Sequence, residues 1–477
     1  MNLTKIRGII LILFILFLAF IVRIYGLTFE SIWLDEGQSI YYASKPLIDI
    51  FNLDEPNPPL YIIILSFFVR IFGISEFWVR LPSVIFGGLS VLLMYFLAKK
   101  IFNERIGLIA SLILAFSAYN IYYSQEARMY SLLVFLSLLS MYFFINYLQN
   151  DNMNNSIYFL ISTILLLYSH YFSMLIVLVQ NIFLIILFRK KYGRLKRWLA
   201  VQSLIFIAYL PALINLINNI NNYITRFIWV NGIGDIKFIN WNFSGGFVLS
   251  ILFPLLLLYS FYYFINNLKV ISSRNKQMFI LLVFWMFIPV IITVVYSLIF
   301  KPVFMMRYII FCSTPLYILI AFSIDKLNKY LRIMTLAAII IFSLFYITNQ
   351  IKIIDKESWR DISLYVKSMV QKDDVIIIEP GYYIFPFTYY YLPKCFNNSD
   401  LYNCTANEKI YTIWNNLKKE RNYTNYANHI IYIRREVSDD ENENSFLKYI
   451  MANLNTQSKK VFPTPDNGTI NLYLLKA

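Results

Sequence analysis

Apolar runs long enough to cross a lipid bilayer recur along this chain, and they restrict its fold more than any other feature. A helix that spans the hydrocarbon core needs roughly 20 mostly apolar residues. Such runs occupy 8–27, 80–98, 106–123, 131–148, 157–169, 171–188, 198–215, 247–265, 279–299, 308–324 and 332–348. Backbone groups in lipid find no water, so these runs must close their hydrogen bonds internally, as helices. Composition agrees, with 59% hydrophobic and 14% charged residues and a mean hydropathy of +0.58. A soluble domain carries about 25% charged residues. The first run follows Lys5 and Arg7 as in a signal peptide, but it lacks a small-x-small cleavage site and continues through Arg23-Ile24-Tyr25. It reads as a retained anchor.

Residues 59–73 (PLYIIILSFFVRIFG) are apolar but short, and Arg70 interrupts them. With this segment lying in the interface and the N-terminus cytoplasmic, the internal loops are 99–105, 149–156, 189–197, 266–278 and 325–331. Four of the five are basic, carrying among others Lys99, Lys100, Arg105, Arg194, Arg197, Arg274, Lys276, Lys326 and Lys329. Counting 59–73 as a span would move all of them outside, against the positive-inside rule. The expectation is therefore about eleven transmembrane helices in the cell membrane and an extracytoplasmic C-terminus. The net charge of +15, from 42 Lys+Arg and 27 Asp+Glu, belongs largely to these loops. It makes no case for nucleic-acid binding, which would show a clustered basic face.

The fold class is thus a mainly α, polytopic membrane protein with a small C-terminal α/β domain. Residues 1–348 form the transmembrane domain, whose first outer loop is 28–79, and 349–477 form the extracytoplasmic domain. In that tail, Ser358-Trp-Arg-Asp361 reads as a capping box opening a helix. Val375 to Glu379, His429 to Ile433 and Ile470 to Leu475 read as strands, while Ile410, Ile413, Trp414 and Leu417 have helical spacing. Glycosylation-type sequons begin at Asn397, Asn403, Asn422 and Asn467. Of three cysteines, Cys395 and Cys404 lie close in sequence, and their pairing depends on an oxidising compartment.

Ionisable residues near membrane depth are costly and are candidates for function. With the topology set by loop charge, Asp35, Glu36, Glu126, Arg128, His170 and Arg307 all fall on the outer face. Residues ending different spans can converge there on one cavity; taken singly, each is equally an interfacial polar group. Trp33-Leu-Asp35-Glu36 sets paired carboxylates beside an aromatic ring, and Glu55-Pro-Asn-Pro-Pro59 stiffens the loop that follows. The alternatives are a helix cap and a kinked loop for these segments, snorkelling for Arg307 and a structural ion pair for Glu126 and Arg128.

The segments WLDEGQSIYYA, EPNPPLY, FGISEFWVRLPS, YSQEARMYSLL, YSHYFSML and MRYIIFCSTPLYILIA, in this order, resemble the dolichyl-phosphate-mannose–protein mannosyltransferase superfamily. That superfamily has the GT-C fold and includes the bacterial aminoarabinose transferases; the resemblance covers roughly residues 1–330. It implies transfer of a sugar from a polyprenyl (dolichyl) phosphate carrier to a protein, glycan or lipid hydroxyl, usually with inversion. Asp35 matches the family's catalytic Asp and is expected to act as general base, with Glu36 assisting. Arg307, with Arg128, is expected to neutralise the departing phosphate. Glu126 would hold Arg128 or position the acceptor, and Tyr61, Arg80 and Tyr308 from the same motifs complete the substrate-binding set. His170 either binds a phosphate oxygen, joins Glu36, Glu55 or Glu126 around a divalent metal ion, or is structural. Some relatives use a metal and others do not. One departure is Asn57, where the family often has His before the Pro-Pro pair, which puts any role of that histidine, including metal binding, in question. A lipid-linked saccharide transporter or flippase is the alternative, but it would show inverted repeats and broken mid-membrane helices, and the sequence shows neither.

Overall fold

The computed structural model describes residues 3–51, 57–150, 152–187, 192–226, 236–350, 356–396, 400–413, 429–436, 454–465 and 468–476. The chain forms two compact units. Met1–Tyr25, Asp54–Tyr61 and Arg80–Asn349 make the first; Gly26–Leu53, Ile62–Val79 and Gln350–Ala477 make the second.

The apolar runs become helices. Eight described helices are long and apolar enough to cross a membrane: Ile6–Ile24, Glu76–Ile101, Tyr130–Gln149, Lys196–Asn219, Phe247–Asn266, Ser273–Ile299, Met306–Lys326 and Lys329–Asn349. A bent pair, Glu104–Ala115 and Ala118–Ser124, makes a ninth. The expectation of about eleven full spans is corrected here. The runs at 157–169 and 171–188 form the shorter helices Met153–Leu167 and Tyr171–Ile186, because the polar pair Ser169-His170 interrupts them. Leu60–Phe72 is also short, at 13 residues, about 20 Å at 1.5 Å per residue.

The 60° bend between Glu104–Ala115 and Ala118–Ser124 has a visible cause in the first unit. Asn103 caps the start of the pair by accepting from the Ile106 N–H at 2.9 Å, and Ser117 caps the second piece. The carbonyls freed at the break are taken by Arg23, which is fully buried. Its guanidinium donates to Ala115 O at 3.0 Å and Leu114 O at 3.2 Å, a cation at the negative end of a helix dipole. Gly87 leaves room for this arrangement, since a Cβ there would lie 2.2 Å from Ser124 Oγ and 2.9 Å from Arg23 Nε. Just beyond the bend, Ser117 Oγ and Tyr317 OH are 2.8 Å apart, and Tyr317 donates to Phe243 O at 2.7 Å. Such interhelical hydrogen bonds hold helices together where lipid supplies no hydrophobic drive.

The second unit contains a five-stranded sheet: β1 Val375–Glu379, β2 Ile410–Thr412, β3 His429–Glu436, β4 Asn455–Pro463 and β5 Thr469–Lys476. The order is β2-β1-β3-β5-β4, with β1 parallel to β2 and β3, and β5 antiparallel to β3 and β4. The interior strand β1 is buried throughout, as the run Val-Ile-Ile-Ile demands. Edge strand β4 is exposed and carries Lys459 and Lys460, charges that oppose edge-to-edge pairing. Two readings of the tail are corrected. Residues 410–412 are a strand, not the start of a helix, because Ile376 to Ile378 of β1 pair with them; Trp414 and Leu417 lie outside the described residues. The helix Trp359–Met369 opens where expected, but Ser358 makes no capping hydrogen bond. Cys395 and Cys404 form a disulfide, and Cys312 is buried and free.

Candidate active site

In the first unit, five of the six motifs contribute to one buried polar cluster. The loop before Leu60 is tied to the 168–170 junction by the Leu60 N–H donating to Tyr168 O at 3.2 Å. Tyr61 OH lies 2.9 Å from Ser83 Oγ, and Ser83 donates to Arg128 O at 3.1 Å. Arg80, three residues before Ser83 on the helix Glu76–Ile101, is buried. Glu126 and Arg128 lie in the break between the helices Ala118–Ser124 and Tyr130–Gln149, both buried. That break is fastened by Gln125, whose amide donates to Arg23 O at 3.1 Å and Tyr25 O at 2.8 Å.

His170 caps the short helix Tyr171–Ser173. Its Nδ1 accepts from the Phe172 N–H at 3.1 Å, so in the neutral ring the proton sits on Nε2. Nε2 is buried and has no hydrogen-bond partner among the described residues. At this junction burial, reinforced by the charges of Arg128 and Arg307, pushes the His170 pKa down to about 3. The ring is therefore a neutral N–H donor beside two guanidinium groups. Around them stand aromatic faces: the Arg307 guanidinium carbon is 5.9 Å from the centre of Tyr130 and 5.7 Å from that of Tyr308. The His170 ring is 5.0 Å from Tyr308 and 6.2 Å from Tyr130. Tyr130, in YSQEARMYSLL, was not among the residues expected from sequence; its place two positions after Arg128 was the available signal. Two guanidinium cations and one neutral donor, with Glu126 the carboxylate placed beside them, make a cluster of net positive charge that favours an anion, because low dielectric strengthens each interaction.

Asp35 and Glu36 belong to the second unit, in the first turn of the helix Leu34–Ser44, where the helix dipole favours carboxylates. Asp35 is half-buried and Glu36 fully buried. Glu36 Oε2 is 3.5 Å from Lys356 Nζ, which also lies 3.7 Å from Glu30 Oε2. The turn before the helix is held by the tail. Arg360 donates to Thr28 O at 3.0 Å and pairs with Glu76 at 2.5 Å, and Tyr390 OH accepts from the Ile32 N–H at 2.7 Å and bonds Glu76. Among the described residues, no group of three His, Cys, Asp or Glu side chains lies close enough to hold a metal ion. Glu36, Glu126 and His170 thus form no such group, and Glu55 lies outside the described residues.

The model of the dolichyl-phosphate-mannose-protein mannosyltransferase family matches residues 56–215. No curated protein matches the chain by sequence. Among solved structures, the chain is similar to ArnT from Cupriavidus metallidurans in the apo state, with TM-score 0.63 and 11% identity over 96% of this chain and 97% of ArnT. ArnT bound to undecaprenyl phosphate gives 0.62 and 10% over the same shares. The archaeal oligosaccharyltransferase AglB from Archaeoglobus fulgidus, in complex with an inhibitory peptide and a dolichol-phosphate, gives 0.56 and 12% over 91% of this chain and 70% of AglB. With that family pattern over residues 56–215 and this fold along nearly its whole length, the chain has the GT-C fold of the membrane glycosyltransferases.

Proposed function

We propose that the protein transfers a sugar from a polyprenyl (dolichyl) phosphate carrier to a hydroxyl of a protein, glycan or lipid on the outer membrane face, with inversion and with Asp35 as general base. The observation that carries this reading is the set of buried Arg128, half-buried Arg307 and the buried Nε2–H of His170. As the acceptor oxygen attacks the anomeric carbon, Asp35 takes its proton and the bond from that carbon to the phosphate oxygen breaks. The carrier leaves as a phosphate monoester with one more negative charge than the diester donor had. Fixed donors and cations at that phosphate stabilise the charge as it develops, where they cost no reorganisation. Two guanidinium groups can each offer a planar pair of N–H donors to phosphate oxygens. The carboxylate of Asp35 can take the hydroxyl proton as the new bond forms.

The relatives lend support. ArnT has been solved with undecaprenyl phosphate and AglB with dolichol-phosphate, and a lipid-phosphate carrier suits a chain whose spans lie in the bilayer. The test is transfer from polyprenyl phosphates carrying different hexoses into membranes of a strain lacking the gene. Asp35→Asn should lower the rate at least ~100-fold, the lower range of general-base effects. Full activity in that variant would sink the assignment of the base.

A further inference from the structure

The tail carries the dipeptide Lys356-Glu357, and its two side chains bind different parts of the second unit. Lys356, 4% exposed, reaches Glu36 at 3.5 Å and Glu30 at 3.7 Å. Glu357 turns into the tail, where it accepts from Trp359 Nε1 at 2.7 Å and Tyr383 OH at 3.2 Å and pairs with Arg435 at 2.7 Å. The Trp359 and Tyr383 rings stack 5.2 Å apart over it.

We propose that Lys356 is a positioning residue for the reaction: its ion pair with Glu36 sets the orientation in which Asp35 is presented, and Glu357 anchors that lysine to the tail. The inference rests on reading Asp35 as the base. Asp35 and Glu36 are consecutive on one helix, so their side chains leave the axis about 100° apart. Fixing Glu36 therefore fixes the rotation of the helix, and with it the direction of Asp35. The translation of the helix is fixed separately. A Cβ on Gly37 would lie 3.0 Å from Pro386 N and 3.2 Å from Phe385 C, so the helix Leu34–Ser44 lies against Ile384–Tyr391 at backbone distance. Electrostatics points the same way. A carboxylate with no exposed surface needs a cation beside it to remain charged, and Lys356 supplies one whose own burial ties it to that place. Glu36 then acts through position rather than by touching substrate, and the reach and charge of the side chain at 356 matter more than the packing of its stem.

The experiment uses the full-length protein in membranes with polyprenyl phosphates carrying mannose, glucose, galactose or aminoarabinose, and undecaprenyl phosphate as a binding probe. Lys356→Met should lower kcat by ~10-fold or more, about 1.4 kcal/mol per decade, while the affinity for undecaprenyl phosphate stays within ~2-fold. Lys356→Arg should keep most of the activity. Because Lys356 acts through Glu36, the double variant Glu36→Gln/Lys356→Met should be no slower than Glu36→Gln alone, the non-additivity expected of residues that work as a unit. The double variant removes both members of the buried Lys356–Glu36 pair and leaves only the more exposed Glu30, so it serves the comparison even if Lys356→Met alone fails to fold. Wild-type kcat in Lys356→Met, or losses that multiply in the double variant, would overturn the proposal. Asp35→Asn, measured alongside, separates the two ideas: an active Asp35→Asn enzyme refutes the base, whereas an inactive one beside a fully active Lys356→Met refutes only the positioning role.

Discussion

In the proposed reaction His170 and Arg307 meet negative charge by different means, and their variants should separate those means. His170→Asn keeps a side-chain acceptor suited to capping the Tyr171–Ser173 turn but withdraws the Nε2–H. The fold should persist while affinity for undecaprenyl phosphate falls roughly tenfold, the lower end of a hydrogen bond to a charged group. Because burial and the neighbouring guanidiniums hold the ring neutral down to about pH 3, this loss should be the same at pH 6 and pH 8; a loss confined to the acid side would contradict the neutral-donor role. Arg307→Lys retains the charge and loses the planar fork and its contacts with Tyr130 and Tyr308, so binding measured the same way should weaken by roughly tenfold. These residues were legible in the sequence because an ionisable group at the end of an apolar run is conspicuous. Lys356, Arg360 and Tyr390 were not. They lie in a tail of ordinary polarity, and only the pairing of Arg360 with Glu76 and of Lys356 with Glu36 reveals their connection to the first loop.

At the scale of elements, apolar length carried the reading well and local spacing carried it poorly. All eleven apolar runs are helical, since lipid leaves the backbone no other choice. In the tail, where water satisfies exposed groups, a three-residue strand such as β2 has too little length to show a period, and its partner β1 decides its state. The apposition at Gly37 was equally invisible, because a glycine within a helix announces neither its neighbour nor its distance. Gly37→Ala should force Ile384–Tyr391 or the helix Leu34–Ser44 to shift. Overpacking of this kind costs about 1–3 kcal/mol, seen as a lower thermal midpoint in detergent together with reduced transfer. Unchanged stability and rate would show that the contact yields freely.

Across the whole molecule, loop charge proposes which side faces out, and accessible cysteines can check it. In an otherwise cysteine-quiet background, Lys459→Cys on the exposed strand β4 should react with a membrane-impermeant thiol reagent in intact cells, and Lys276→Cys only after permeabilisation; the reverse pattern would invert the topology. The sequence could rank helices by length but could not show which polar groups meet between them, and Arg23 is the plainest case. It stands 92 and 91 residues before the Ala115 and Leu114 carbonyls that it caps. During synthesis the first helix therefore reaches the bilayer long before those carbonyls exist. An arginine at a helix centre in hydrocarbon costs about 2.5–3.5 kcal/mol on insertion scales, and one nearer the helix end can relieve part of that by snorkelling. The first helix thus enters with a debt of solvation that only the arrival of Glu104–Ala115 settles, so that biogenesis of this bundle couples two distant segments of the nascent chain instead of completing each helix in turn.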